Sequence, residues 1–91
     1  MAVPDKLTHA NGTEVTAQEA FNAFMNTRVL IVKDGNTYEA INMVWYDNNS
    51  AQTDPTNVGF VQLTYMSEDS SGVMSLLTVL VGKPSLVPTA G

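Results

Sequence analysis

Residues 73–81 read Val-Met-Ser-Leu-Leu-Thr-Val-Leu-Val between Gly72 and Gly82, without one charged side chain. Along a strand, successive side chains point to opposite faces. Met74, Leu76, Thr78 and Leu80 then share one face, and Val73, Ser75, Leu77, Val79 and Val81 share the other. A strand half open to water alternates apolar with polar residues; this one is apolar on both sides. It requires cover on two faces, drawn from the rest of a 91-residue chain or from another chain.

The cover available is small. A single domain of this size buries roughly two-thirds of its unfolded surface, so its core is thin. The clearest local signature is Thr16-Ala17-Gln18-Glu19. It is a capping box, in which the Thr16 hydroxyl accepts from the Glu19 N–H and the Glu19 carboxylate accepts from the Thr16 N–H. Ala17, Ala20, Phe21, Phe24 and Met25 follow as one apolar stripe, with Gln18, Glu19 and Asn22 on the wetter side. The spacing predicts a short helix over residues 17–26. A helix of about three turns is marginal alone in water, so packing must hold it.

Four antiparallel strands are predicted after it, at 28–33, 37–46, 60–66 and 73–81. Asp34-Gly35 between apolar runs is a strong hairpin signal. Residues 29–32, Val-Leu-Ile-Val, are apolar on both faces like 73–81. In 37–46 the alternation changes phase, Tyr38 and Ala40 fitting one face and Ile41, Met43 and Trp45 the other; a β-bulge near Ala40 reconciles them. Residues 47–57 read as an exposed polar loop, and 67–72 as the turn of a second hairpin. The flanks read as an irregular N-terminal arm (1–15) and a Pro-containing C-terminal tail (82–91). With Pro84 and Pro88 the tail is expected to be extended or disordered rather than helical.

The expected architecture is a single α+β domain over 1–91, with one helix on one face of a four-stranded antiparallel sheet and extended termini. One helix cannot shield both faces of strands that are apolar on both. Either the sheet curls on itself, or its second face meets a neighbouring subunit. Charge points to the neighbour. Charged residues are 14% of the chain against about 25% in typical proteins. Sheet edges are normally guarded by Lys or inward charges, and these strands have almost none. Leu77 and Val79 of the uncharged strand and Leu86 and Val87 of the tail are the expected contacts with another copy.

Other function classes fare worse. Nine acids against four bases give a net charge of −5, and Lys6, Arg28, Lys33 and Lys83 are scattered, so neither nucleic acid nor an anionic membrane is an expected partner. The chain has no cysteine and one histidine, His9, too few for a zinc or iron site. Asp47, Asp54, Glu68 and Asp69 lack calcium-loop spacing. No nucleophile motif or phosphate-binding glycine loop is present, so no cofactor, metal or catalytic residue is expected. The N-terminus lacks the pattern of a signal peptide, and no apolar run reaches the ~20 residues of a membrane span. Asn11-Gly12-Thr13 and Asn48-Asn49-Ser50 read as loop chemistry rather than glycan sites. An alternative to assembly is a small protein-binding or inhibitor module, using Trp45, Tyr46 and the 47–57 loop.

Thr16-Ala17-Gln18-Glu19-Ala20-Phe21-Asn22-Ala23-Phe24, followed by Val29-Leu30-Ile31-Val32 and Asp34-Gly35-Asn36-Thr37-Tyr38, resembles small helix-then-hairpin modules. These belong to virion proteins of tailed bacteriophages, of the head-fibre and capsid auxiliary or decoration type. The resemblance covers about a quarter of the chain. It implies a non-enzymatic, homo-oligomeric particle component, made in the host cytoplasm and residing in the virion. Its partners would be copies of itself and a capsid protein.

Overall fold

A computed structural model describes residues 6–88. The element order is α1 (Ala17–Asn26), β1 (Leu30–Lys33), β2 (Asn36–Glu39), β3 (Asn42–Asp47), β4 (Val58–Glu68) and β5 (Met74–Gly82), then a 3₁₀ turn at Pro84–Leu86. The class is α+β, one helix packed on antiparallel strands.

Helix α1 begins where its capping box places it. Thr16 Oγ1 accepts from the Glu19 N–H at 3.1 Å, and Glu19 Oε1 accepts from the Thr16 N–H at 3.0 Å. Its stripe buries Ala17, Ala20 and Phe21, half-buries Phe24 and leaves Met25 exposed. The β1–β2 hairpin closes on Asp34 and Gly35 with φ of 53° and 80°. Both angles are positive, as a two-residue type I′ turn requires.

The expected single sheet of four strands is two sheets, β1-β2 and β3-β4-β5. The predicted strand 37–46 divides at Ala40. The Ala40 N–H donates to the Val29 carbonyl (2.9 Å), and the next N–H, of Ile41, donates to the Thr64 carbonyl (2.7 Å). Consecutive residues thus serve different sheets. The phase change in the sequence marks this crossing rather than a bulge; the irregularity in β3 falls between Tyr46 and Asp47.

Within the larger sheet, Trp45 lies opposite Val61 and Val61 opposite Val81, while Leu63 lies opposite Val79 and Tyr65 opposite Leu77. These residues share the inner face. Helix α1 covers one end of it, with Phe21 tilted on Trp45 at 4.9 Å between ring centroids, and β2 covers the next row, with Tyr38 on Tyr65 at 5.0 Å. Val61, Leu63, Tyr65 and Val79 are sealed at 0–1% exposure, with Ile31, Val29, Ala40 and Leu7 packed around them.

Residues 1–5 of the arm and 89–91 of the tail lie outside the described residues. The rest of the arm is a small turn-back, where Thr8 bridges Glu14, the Val15 N–H donates to the Leu7 carbonyl (3.0 Å), and Leu7 is buried. The tail departs from expectation. Pro84 opens a 3₁₀ turn at the position where a missing N–H costs nothing, and the Val87 N–H donates to the Pro84 carbonyl at 3.1 Å.

Candidate assembly surface

Strands β4 and β5 are longer than anything that covers them. β4 has 11 residues and β5 has 9, or about 37 and 30 Å of strand at 3.3–3.4 Å per residue. The ten residues of α1 span only about 15 Å. The tyrosine of β2 extends the cover to the row of Tyr65 and Leu77. Beyond it, the rows pairing Met66 with Leu76, Ser67 with Ser75 and Glu68 with Met74 project as a bare hairpin. Val73, Met74, Leu76 and Leu77 are 57, 51, 64 and 38% exposed, and Met66 is 43% exposed. The turn at the tip is nevertheless well formed. One oxygen of Asp69 accepts from the Ser71 N–H (2.8 Å) and the Val73 N–H (3.0 Å).

β5 also ends its sheet, and among the described residues no strand pairs with its outer side. An edge of this length without charge is an open template for another strand. Apolar exposure continues on β1, where Leu30 and Val32 are 47 and 71% exposed while Val29 and Ile31 are buried. Both doubly apolar segments of the sequence therefore have one face or one end in water.

The six expected contact residues are scattered among different environments. Leu77 sits at the rim of the bare hairpin. Val79 is fully buried opposite Leu63 and is a core residue; its place among the contacts is corrected. Leu86 is half-buried within the same copy. It packs beside Gly59, where any side-chain carbon would collide with it, so this part of the tail docks in cis. Val87 is 36% exposed. Trp45 and Tyr46 are both half-buried but turn to opposite faces, Trp45 onto Phe21 and Tyr46 towards Phe60 at 6.3 Å. They do not form one patch, which removes the aromatic centre of the binding-module reading.

The polar loop after β3 is ordered by Asp47, which the sequence offered only as an acid without calcium-loop spacing. Asp47 is completely buried. One carboxylate oxygen accepts from the Asn49 N–H (2.8 Å) and the Ala51 N–H (3.1 Å). The other accepts from the Thr53 hydroxyl (2.9 Å), the Asp54 N–H (3.1 Å) and, longer, the Thr53 N–H (3.4 Å). Burial by itself would push the Asp47 carboxyl up. The donors, led by the Thr53 hydroxyl and followed by the backbone N–H groups, outweigh it and hold the pKa at about 2. Gln18, expected on the wet side of α1, clamps the loop to the helix. Its side chain donates to the Pro55 carbonyl and accepts from the Val58 N–H, both at 2.8 Å. An Asp at a strand end followed by Asn, Ser and Thr is a turn signal, and that was the trace of this brace in the sequence.

Elsewhere the polar side chains serve the fold. His9 meets Glu19 at 3.1 Å, and the Glu19 carboxyl is held below its usual range mainly by the Thr16 N–H, then by the Thr16 hydroxyl and His9. Lys6 pairs with Glu14 at 3.0 Å beside a shallow cleft of about 280 Å³ between the arm and the end of β5. Among the described residues, no three His, Cys, Asp or Glu side chains are grouped to hold a metal ion, and no helix is long and apolar enough to cross a membrane. The chain matches no protein-family model, no curated protein and no solved structure.

Proposed function

We propose that this chain is a non-enzymatic structural subunit that assembles with copies of itself through the β4–β5 hairpin. The observation that supports this reading is the exposure of residues 73–78 on an uncharged edge strand whose far end is core. Apolar surface of this kind is an association site or an aggregation hazard, and a lone copy has no charge there to guard it. The setting we propose is a bacteriophage particle, as a capsid-associated or head-fibre component with a capsid protein as second partner. That setting rests on the resemblance of the helix-then-hairpin segment.

The test is the mass of the full chain in solution, measured by sedimentation or light scattering across a wide concentration range. A multimer at working concentrations is expected. A monomer throughout, with near-ultraviolet circular dichroism showing a folded chain, overturns the reading.

A further inference from the structure

We infer that two copies join edge to edge, β5 against β5 and antiparallel, about a two-fold axis at Leu76. The inference rests on the self-assembly reading and specifies its geometry. Three strands from each copy become one continuous sheet.

Three observations fix this arrangement. The first is where the edge is open. From Val79 onward it runs alongside the arm: Lys6 and Leu7 line one cleft with Val79 and another with Leu80, Val81 and Gly82. The stretch clear of the described residues of the arm is 74–78, where every residue is exposed. Its midpoint is Leu76. Pairing about that midpoint sets Leu76 against Leu76, Ser75 against Leu77 and Met74 against Thr78, and it uses every open residue.

The second observation is what that register brings together. An axis perpendicular to the sheet keeps the outer faces on one side. Met66 is the neighbour of Leu76 on β4. The central row therefore reads Met66, Leu76, Leu76, Met66 across the two copies, with every member now exposed. Directly opposed side chains are the unit of stabilisation in a sheet, and here the opposed pairs contain no polar mismatch at the centre.

The third is charge. The chain carries −5 overall, which opposes self-association, yet β5 contributes nothing to it. The nearest acid on the hairpin strands is Glu68, opposite Met74. In the paired sheet the two Glu68 residues are three strand spacings apart sideways and four residues apart lengthwise, about 20 Å in all. That exceeds the Debye length of about 8 Å at physiological ionic strength, so the two Glu68 carboxylates are screened from each other. A second copy thus meets an uncharged strand with a matching apolar row.

The chain has no cysteine, so a single introduced thiol reports unambiguously on symmetry. Residues opposed across an antiparallel pair have Cα atoms about 4.5–5.5 Å apart, which lies within reach of a disulfide. Under mild oxidation of the full chain, Leu76→Cys is expected to give a covalent dimer, whereas Val32→Cys on β1 and Ser70→Cys at the tip stay unlinked. Thr78→Lys, which guards the edge with a charge, is expected to abolish the dimer while leaving circular dichroism unchanged. If the wild-type chain is multimeric but Leu76→Cys does not cross-link, or Val32→Cys links in its place, the β5 register is overturned and the self-assembly reading survives. A wild-type mass that stays monomeric overturns both.

Discussion

Val79 and Leu76 lie three residues apart on one uncharged strand, yet Val79 is sealed and Leu76 is 64% exposed. The two point to opposite faces, Val79 inward under α1 and β2 and Leu76 outward, but exposure also rises towards the tip along the inner face alone. Val81 and Val79 are buried at 3 and 0%, Leu77 is 38% exposed, and Val73 beyond the strand is 57% exposed. Nothing in side-chain chemistry separates the two ends. What separates the ends of that inner face is the reach of the layer above, since about 15 Å of helix and one tyrosine cannot roof about 30 Å of strand. A doubly apolar strand is thus anchored at one end and offered, already paired to β4, at the other. A partner then meets a preformed edge and is spared most of the ordering cost of building one.

The comparison breaks most visibly at the buried end. Gly82 has φ of 94°, and a side-chain carbon there would be driven against the Gly59 carbonyl oxygen and the Ala17 side chain. Gly82→Ala is expected to cost about 3 kcal/mol, combining left-handed strain with overpacking. Equilibrium urea unfolding checks it, and a loss under 1 kcal/mol would show that the seam between β4, β5 and α1 is looser than its contacts indicate.

A paired substitution tests the two ends directly. Val79→Ala is expected to lower stability by about 2 kcal/mol, because it removes fully buried methyl groups. Leu76→Ala is expected to stay within about 0.5 kcal/mol in the dilute monomer, since its side chain is already hydrated. In concentrated solution the order reverses, with Leu76→Ala weakening association and Val79→Ala sparing it wherever the chain stays folded. Urea melts at low concentration and sedimentation at high concentration separate these outcomes.

A smaller effect falls on the roof itself. Thr16→Ala removes one partner of the capping box and is expected to cost about 1 kcal/mol. In a domain of this size that lowers the melting temperature by roughly 4–8 °C. Thr16→Ser, which keeps the hydroxyl, should restore most of the loss.

How much of this was legible in the sequence depends on how local the cause is. The capping box and the Asp34-Gly35 turn were readable, because each is satisfied within four residues. The α+β class followed from them and from strand alternation. The division at Ala40 was visible as a phase change, but a bulge and a change of sheet leave the same trace. They differ only in which distant carbonyl receives the Ile41 N–H. Val79 and Leu77 could not be sorted into core and rim, because the sorting depends on where α1 and Tyr38 come to rest. Asp47 was hidden for a related reason: its partners are supplied by the loop that its own carboxylate folds.

That carboxylate gives the last test, in which the wild-type chain changes only in acid. The Asp47 carboxyl falls from an ordinary 3.8 to about 2 in the folded chain. A lowered folded pKa means that the unfolded chain binds the proton first as pH drops. The stabilisation is therefore complete above about pH 4 and is lost progressively as pH falls towards 2. Melting temperature plotted against pH should show this decline in the wild-type chain. Asp47→Asn should lower the curve at neutral pH, because an amide NH₂ would face backbone N–H donors that need an acceptor, and it should flatten the decline below pH 4. Since Asp47 and Gln18 together brace the end of the sheet farthest from the bare hairpin, association through Leu76 should persist in the variant at neutral pH. If dimerisation is lost along with the loop, the two ends are one cooperative unit, and the contrast between Val79 and Leu76 is one of exposure alone.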